Sequence, residues 1–158
     1  MIKRYAENEF TDGYRATIGA EFLTKELIIN DQVTSLQLWD TAGQEKYQSV
    51  QRIFYKGSDG CVIVYDVTDL KSFEAVASWR DTFFDAAGIE PENFPLIVIG
   101  NKVDLVANRK VSREKAAQWC RDNGGVLHFE ASAKTASNVI DVFEAITKKA
   151  AEKHSGRL

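Results

Sequence analysis

The chain has little of what marks secreted, fibrous or membrane-spanning proteins. It contains only two cysteines, Cys61 and Cys120, and two prolines among 158 residues. Cys61 lies in an apolar run and Cys120 in a helical pattern, so we expect two reduced, buried thiols of a cytosolic protein rather than a disulfide framework. The longest apolar run, Cys61–Tyr65, has the length of a strand and falls far short of the roughly 20 residues that a membrane helix needs. Disulfide-rich and membrane-spanning classes are therefore excluded.

An excess of charge of one sign is also lacking. Twenty basic residues face twenty-three acidic ones, for a net charge of -3, and neither sign forms a long run. A nucleic-acid surface or a polybasic membrane patch therefore has no electrostatic support. We expect neutral surfaces or specific anions as partners, and no nucleic acid.

What the chain does have is apolar area. Hydrophobic residues make up 44% of it, including nine Phe, five Tyr and three Trp, enough to offset the chain entropy lost on folding. A chain of this length folded as one domain buries roughly 70% of the surface that it exposes when unfolded. We predict one domain over residues 1–158 and no second domain.

Apolar periodicity predicts an α/β fold. Short β-branched runs at 61–65, 96–99 and 126–129 alternate with helical stripes at 72–86, at 113–123 and from Val139 onward, while 22–29 and 33–39 flank Asn30-Asp31 as a hairpin. Strand-helix alternation implies right-handed crossovers and a mainly parallel, three-layer sheet. Ligands of such sheets bind at the carboxyl ends of the strands.

The loops at those strand ends carry polar chemistry. Asp40–Glu45 (DTAGQE) offers a carboxylate, a glycine and an amide, the order that a Mg²⁺-phosphate site needs. Gly100–Asp104 (GNKVD) pairs an amide with a carboxylate three residues on, and Glu130–Lys134 (EASAK) follows the next strand. The amide and the carboxylate suit a purine with acceptors at O6 and N7 and donors at N1 and N2. Because adenine lacks that donor pair, Asp104 would select guanine.

Together with Ala16–Gly19 (ATIG), these loops resemble the guanine-nucleotide site of small GTPases, and several segments narrow the resemblance to the Rab family within the Ras superfamily. The diagnostic segments are Ile18–Phe22, Trp39–Glu45, Phe54–Ser58 and Ile63–Thr68. Tyr14–Glu26, Ser78–Asp81 and Phe94-Pro95 are most similar to the late-endosomal and vacuolar branch. The resemblance covers essentially the whole chain and implies a P-loop GTPase fold of the Ras type.

The resemblance also implies roles for individual residues. Thr17 and Asp40 would hold Mg²⁺, and Thr17 and Gly43 would contact the γ-phosphate of GTP. Gln44 would orient the attacking water and is the expected catalytic residue. Guanine would be read by Asn101 and Asp104, with the stem of Lys102 along the base. The remaining nucleotide-binding residues implied are Phe10 against the base, Tyr14, Ser132, Ala133, whose N–H would reach O6, and Lys134.

Two family features are absent from the sequence. A phosphate cradle of this class needs Gly-x-x-x-x-Gly-Lys-Ser/Thr, and none of the ten glycines precedes a lysine. Met1–Tyr5 resembles the helix after that loop, so we expect a Ras-type sheet without its first strand and with unpaired strand edges. Two hypotheses stay open, a truncated Rab-type switch and a non-nucleotide-binding pseudo-GTPase that serves as an interaction module. Gly156–Leu158 also lacks a cysteine for prenylation, so no lipid anchor is expected within this chain.

Phe22, Trp39 and Phe54 match the aromatic patch that the family uses to bind effectors. Aromatic residues at strand ends are more often core, but the match favours an interface for these three. The resemblance implies that effectors, an exchange factor and a GTPase-activating protein bind at the switch regions. It further implies a cytoplasmic protein on the cytosolic face of late-endosomal or vacuolar membranes.

Overall fold

The computed structural model describes residues 1–13, 15–43 and 48–155, without the side chains of residues 48–51 and 155. Helices and strands alternate along most of the chain. In order they are α1 (Ile2–Glu7), β1 (Ala20–Ile29), β2 (Gln32–Thr41), α2 (Gln48–Tyr55), β3 (Cys61–Asp66), α3 (Leu70–Glu74), α4 (Val76–Ala87), β4 (Leu96–Asn101), a 3₁₀ turn (Val106–Asn108), α5 (Arg113–Asp122), β5 (Leu127–Glu130) and α6 (Val139–Ser155).

The predicted hairpin is present as β1 and β2, each longer than predicted. Asn30 and Asp31 form its turn with φ of 50° and 62°, the left-handed pair that a two-residue turn requires and that Asn and Asp tolerate. The antiparallel register places Phe22 opposite Trp39 and Glu21 opposite Asp40. The hairpin therefore carries both the aromatic residues and the acidic residue singled out in the sequence.

The three remaining strands form a parallel sheet in the order β3-β4-β5. Alternate residues of β4 enter different cores: Leu96 and Val98 pack with the aromatic cluster around Phe83, whereas Ile97 and Ile99 pack with Phe143 of α6. Because both faces of the strand are covered, all four of these side chains are buried. The predicted α/β architecture, with a sheet between two helical layers, is confirmed.

The stretch predicted as one helix over 72–86 is two helices. Helix α3 begins after Asp69, whose carboxylate accepts the N–H of Lys71 at 3.0 Å, and ends at Ala75, which is also the N-cap of α4. The apolar stripe continues across the break, so periodicity alone could not locate it. The predicted Ser112 cap of α5 is confirmed, since its hydroxyl oxygen accepts the N–H of Lys115 at 3.2 Å.

A gap separates the two sheets. In the described part of the chain, the hairpin and the β3-β4-β5 sheet share no strand pairing. A cavity of about 930 Å³ lies between them and is lined by β2 and β3. Val64 lies in the apolar middle of β3 and lines this cavity, and its side chain is therefore 44% exposed. Within the described ranges no strand pairs with the facing edges of the two sheets, and the absence of the first strand of a Ras-type sheet stays a prediction.

Both thiols are free, but only Cys120 is buried. Burial raises the pKa of the Cys120 thiol to about 11. The expectation of two buried thiols is wrong for Cys61, because this residue begins β3 and lines the gap. Among the helices of the described ranges, none combines the length and apolar character needed to cross a bilayer.

Candidate nucleotide-binding site

The loops after β4 and β5 lie side by side because the two strands are parallel neighbours. Gly100 is in register with Glu130, and the N–H of Ala131 donates to the carbonyl of Gly100 at 2.8 Å. The carbonyl of the same Ala131 accepts the N–H of Val103 at 3.3 Å. The two segments predicted to read a base are therefore hydrogen-bonded to each other through their backbones.

Ser132 fixes the carboxylate of Asp104. Its hydroxyl donates to Oδ1 of Asp104 at 2.6 Å and accepts the N–H of Thr135 at 3.1 Å. Ser132 is completely buried, so this hydroxyl is shielded from competing water and the bond is strong. The geometry orients Asp104 from within the fold, which places Ser132 behind the carboxylate.

Asn101 and Ala133 form a second connection between the loops. The N–H of Ala133 donates to Oδ1 of Asn101 at 3.1 Å. An N–H that also served O6 of a purine would have to share this bond or exchange it. The structure thus brings Asn101, Asp104, Ser132 and Ala133 together in one small region, as the sequence predicts.

Lys102 lies between these pairs in an unusual backbone conformation, with φ of 67°. Its ammonium contacts Oδ2 of Asp66, at the end of β3, at 2.7 Å. Burial alone would raise the pKa of Asp66, but hydrogen bonds from Lys102 and Thr68 outweigh it and leave the pKa below its ordinary value. Asp66 is not among the residues predicted from the sequence, although its place at the carboxyl end of a parallel strand was a signal that could have singled it out.

Phe10 borders the same loops from the amino-terminal side. Its ring is 40% exposed, with the Arg4 guanidinium 5.8 Å from the ring centroid. An ion pair of 3.2 Å between Asp12 and Lys134 joins the segment after Phe10 to the loop after β5. Phe10 and Lys134 are therefore both at the edge of the region formed by Asn101, Asp104 and Ala133.

Asp40 and Gly43 lie at the end of β2, on a different side of the site. The N–H of Ala42 donates to the carbonyl of Gly19 at 2.9 Å, so the segment that contains Thr17 adjoins the one that contains Asp40. Burial raises the pKa of Asp40, and the negative charge of Glu21 raises it further, against the opposing effect of the terminal amino group. A bound cation would relieve this cost of ionising Asp40.

Tyr14 and Gln44 lie outside the described residues. Within the described ranges, no group of three or more His, Cys, Asp or Glu side chains is placed to hold a metal. The cavity of about 930 Å³ is lined by Asp40, Gly43 and Asn101, so it borders the β2 end of the site and the start of the loop after β4.

Phe22, Trp39 and Phe54 form one aromatic patch. The ring centroids of Phe22 and Trp39 are 4.7 Å apart, and those of Trp39 and Phe54 are 4.9 Å apart. Phe22 and Trp39 are 45% and 44% exposed. In this structure the patch is a surface feature, so the alternative that these rings are core is wrong for Phe22 and Trp39.

A parallel α/β sheet with an amide-carboxylate pair on one strand-end loop, held by the neighbouring loop, defines the class of guanine-nucleotide-binding domains. Comparison with known proteins agrees, because the model of the family described as "Ras family" matches residues 1–152. The chain belongs to the Ras family of small GTPases, and its relatives assign it to the Rab group.

Those relatives cover nearly the whole chain. It is 48% identical to "Ras-related protein Rab-7a" of Dictyostelium discoideum over 157 residues, which are 99% of this chain and 77% of the relative. It is 49% identical to "Ypt/Rab-type GTPase ypt7" of Schizosaccharomyces pombe over 96% of this chain and 75% of the relative. It is 48% identical to "Ras-related protein Rab7" of Drosophila melanogaster over 96% of this chain and 73% of the relative.

Family membership confirms the predicted class of protein, a GTP-binding and GTP-hydrolysing switch of the late-endosomal and vacuolar Rab branch. It gives no support to the hypothesis of a pseudo-GTPase. The roles of single residues stay predictions.

Proposed function

We propose that this Rab-type GTPase reads guanine through Asn101 and Asp104. The observation that carries the proposal is the double connection between the two loops, Ser132 to Asp104 at 2.6 Å and Ala133 to Asn101 at 3.1 Å. Each contact fixes one side chain of the amide-carboxylate pair before any ligand arrives. A preorganised pair of this kind spends little free energy on ordering itself when a base binds.

In this proposal the carboxylate of Asp104 accepts from N1 and N2 of guanine, while Asn101 faces N7. Lys102, held at Asp66, covers the base with its stem, and Phe10 packs on the base from the amino-terminal side. The N–H of Ala133 donates to O6. Lys134, paired with Asp12, closes the loop around the base.

At the end of β2, Thr17 and Asp40 would hold Mg²⁺, and Thr17 and Gly43 would contact the terminal phosphate. Hydroxyl and carboxylate oxygens are the hard ligands that Mg²⁺ prefers, and the burial that raises the pKa of Asp40 fits a site built for a cation. Bound Mg²⁺ would neutralise charge on the phosphate oxygens. Tyr14 would lie beside the phosphates, and Gln44 would orient the attacking water as the catalytic residue.

The switch follows from these contacts. Because Thr17 and Gly43 would hold their segments only while the γ-phosphate is present, hydrolysis would release both. Effectors, an exchange factor and a GTPase-activating protein would bind beside those segments, with Phe22, Trp39 and Phe54 as the aromatic anchor. We infer that the protein works on the cytosolic face of late-endosomal or vacuolar membranes, and that any attachment to them needs a lipid anchor.

The test replaces one carboxylate oxygen of Asp104 with an amide NH₂ group. Asp104→Asn should lower the affinity for GDP at least tenfold, since a charged hydrogen bond of this kind contributes about 1.5–3 kcal/mol. It should also raise the relative affinity for xanthosine diphosphate, in which a carbonyl replaces the 2-amino group and can accept from the new amide. Isothermal titration with both nucleotides in the presence of Mg²⁺ measures the ratio.

Asp85→Asn, on the exposed face of α4, is the matched control and should leave both affinities unchanged. Unchanged GDP affinity in Asp104→Asn would remove Asp104 from the site. A loss for both nucleotides in equal proportion, together with a lower melting temperature, would mean that the substitution damages the fold instead of the base contact.

A further inference from the structure

Arg4 is the most heavily engaged cation among the described contacts. Its Nε donates to the carbonyl of Ala133 at 2.7 Å and its Nη2 to the carbonyl of Lys134 at 2.9 Å. Its Nη1 donates to the backbone carbonyl and to Oδ1 of Asn8, at 3.0 and 3.1 Å. All three nitrogens of this half-buried guanidinium therefore have carbonyl partners.

The contact with Asn8 holds the guanidinium in place. Asn8 is the C-cap of α1 and has a left-handed conformation, with φ of 56°, which turns its carbonyl and side chain back toward the helix. A planar guanidinium has a fixed fork of donors. Once one edge of the fork is fixed to α1, the other edge can receive the loop only in one orientation.

The loop that it receives contains the proposed contact with the base. Arg4 takes the carbonyls of Ala133 and Lys134, whereas the N–H of Ala133 points to Asn101 at 3.1 Å. The loop is thus held between α1 on its carbonyl side and the loop after β4 on its N–H side. The same guanidinium lies 5.8 Å from the centroid of the Phe10 ring, within cation–π range of the other group proposed to flank guanine from this direction.

We propose that Arg4 is a positioning residue for guanine recognition: by gripping the carbonyls of Ala133 and Lys134, it sets the N–H of Ala133 where O6 of the base can accept it. The proposal rests on the proposed function of this site. It gives α1 a role in base selection through a contact between Arg4 and Ala133, which are 129 residues apart in the sequence.

Lysine could not replace Arg4 in this role. An ammonium is a single point of charge on a flexible stem, so it could reach one carbonyl of the loop but could not hold both together with Asn8. Arg4→Lys should therefore behave as a partial loss, between the parent and Arg4→Ala. A contribution from charge alone would instead be rescued fully by lysine.

The experiment uses GDP and the diphosphate of 2-aminopurine riboside, which lacks O6 and, with it, the proton on N1. Because the missing N1–H weakens the contact with Asp104 in the parent and in the variant alike, each ligand is compared between the two proteins, and a larger loss for GDP than for the 2-aminopurine ligand reports on O6. Arg4→Ala should weaken GDP binding about three- to tenfold, the range for one hydrogen bond lost to misplacement, and should leave the affinity for the 2-aminopurine ligand almost unchanged. Glu7→Gln is the matched control, because Glu7 is an exposed side chain on the same helix. It should alter neither affinity.

Amide hydrogen exchange of the unliganded protein gives a second readout. Arg4→Ala should speed exchange at Ala133 and Thr135, whose N–H groups are hydrogen-bonded in the parent, without speeding exchange in β4. Unchanged exchange at both amides would overturn the proposal whatever the nucleotide data show. Equal losses of affinity for the two ligands would also overturn it, because they would indicate a general effect on the fold.

The two readouts separate this proposal from the function on which it rests. If the parent protein binds neither ligand, the proposed function fails and the role of Arg4 in recognition fails with it. If the parent binds GDP and Arg4→Ala binds both ligands as the parent does, the proposed function stands and only the role of Arg4 is refuted.

Discussion

Replacing Gly100 of β4 with alanine should lower the free energy of unfolding, because the added methyl group would overlap buried side chains. A Cβ placed there would lie 2.6 Å from the hydroxyl oxygen of Tyr65, 2.8 Å from its Cζ and 2.9 Å from a methyl group of Val67. Real Cβ atoms essentially never approach other heavy atoms so closely. The residue is glycine because Tyr65 crosses over it, and the next residue along the strand is Asn101.

Tyr65 has little freedom to move away. It is 1% exposed, its hydroxyl is bonded to Nε2 of His128 at 2.9 Å, and its ring meets that of Phe73 edge-on at 5.0 Å. Forcing an extra methyl into such a core costs about 1–3 kcal/mol. For a domain of this size each kcal/mol lowers the melting temperature by about 2–4 °C, so we expect Gly100→Ala to melt roughly 2–12 °C below the parent.

Thermal unfolding followed by circular dichroism measures the effect. Gly13→Ala is the matched control, because a Cβ at Gly13 meets no heavy atom within 4 Å and should change the free energy of unfolding by less than about 0.5 kcal/mol. Repeating Gly100→Ala in a Tyr65→Phe background removes the nearest atom and should shrink the loss. Parental stability of Gly100→Ala would refute the steric explanation, whereas an equal loss in both backgrounds would place the clash at Cζ of Tyr65 and at Val67 rather than at the hydroxyl.

Two further predictions concern the patch and the pH dependence. Trp39→Ala should abolish binding of late-endosomal effectors by the GTP-loaded protein, since aromatic anchors commonly supply 2 kcal/mol or more of binding free energy. Because Trp39 is 44% exposed, the substitution should cost little stability. A pull-down measures binding and a melting curve measures stability; if unfolding accounts for the whole loss of binding, Trp39 is a core residue and not part of an interface. Burial lowers the pKa of His128 below 6.5, against the charge of Glu130, so the unfolded state binds more protons and the free energy of unfolding should fall as the pH drops below about 6.5. Urea titrations from pH 7 to pH 5 should show a shallower fall for His128→Gln than for the parent, with His154→Gln as an exposed control; equal slopes for His128→Gln and the parent would contradict the assignment.

The sequence predicts best where one local rule decides the structure. The turn at Asn30-Asp31 needs two left-handed residues, and those residue types supply them. The run Leu96–Ile99 is apolar at every position because β4 is covered on both faces. The break between α3 and α4 escapes such rules, since the cap at Asp69 and the turn at Ala75 interrupt hydrogen bonding without interrupting the apolar stripe.

Within the candidate site, topology explains why the residues proposed to read the base could be predicted together. Asn101 and Ala133 follow neighbouring parallel strands, and the ends of such strands must share one edge of the sheet. Thr17 and Gly43 lie beyond the ends of the hairpin strands, so no strand register sets their distance to the base. For that reason their roles stay predictions, whereas the hydrogen bonds from Ser132 to Asp104 and from Ala133 to Asn101 are visible in the structure.

Arg4 shows what a pattern of residues cannot contain. Nothing local distinguishes it from an ordinary basic residue in the last turn of a helix, where positive charge is favoured by the helix dipole. Its significance comes from carbonyl groups of Ala133 and Lys134, and every residue has a carbonyl, so no side-chain motif at the distant position announces the contact. A sequence motif names the groups that meet the ligand, whereas the cation that holds their backbone in place emerges only once the chain has folded and the two segments adjoin. The most informative residues to alter in a recognised site are then those that hold the backbone of the motif from outside it.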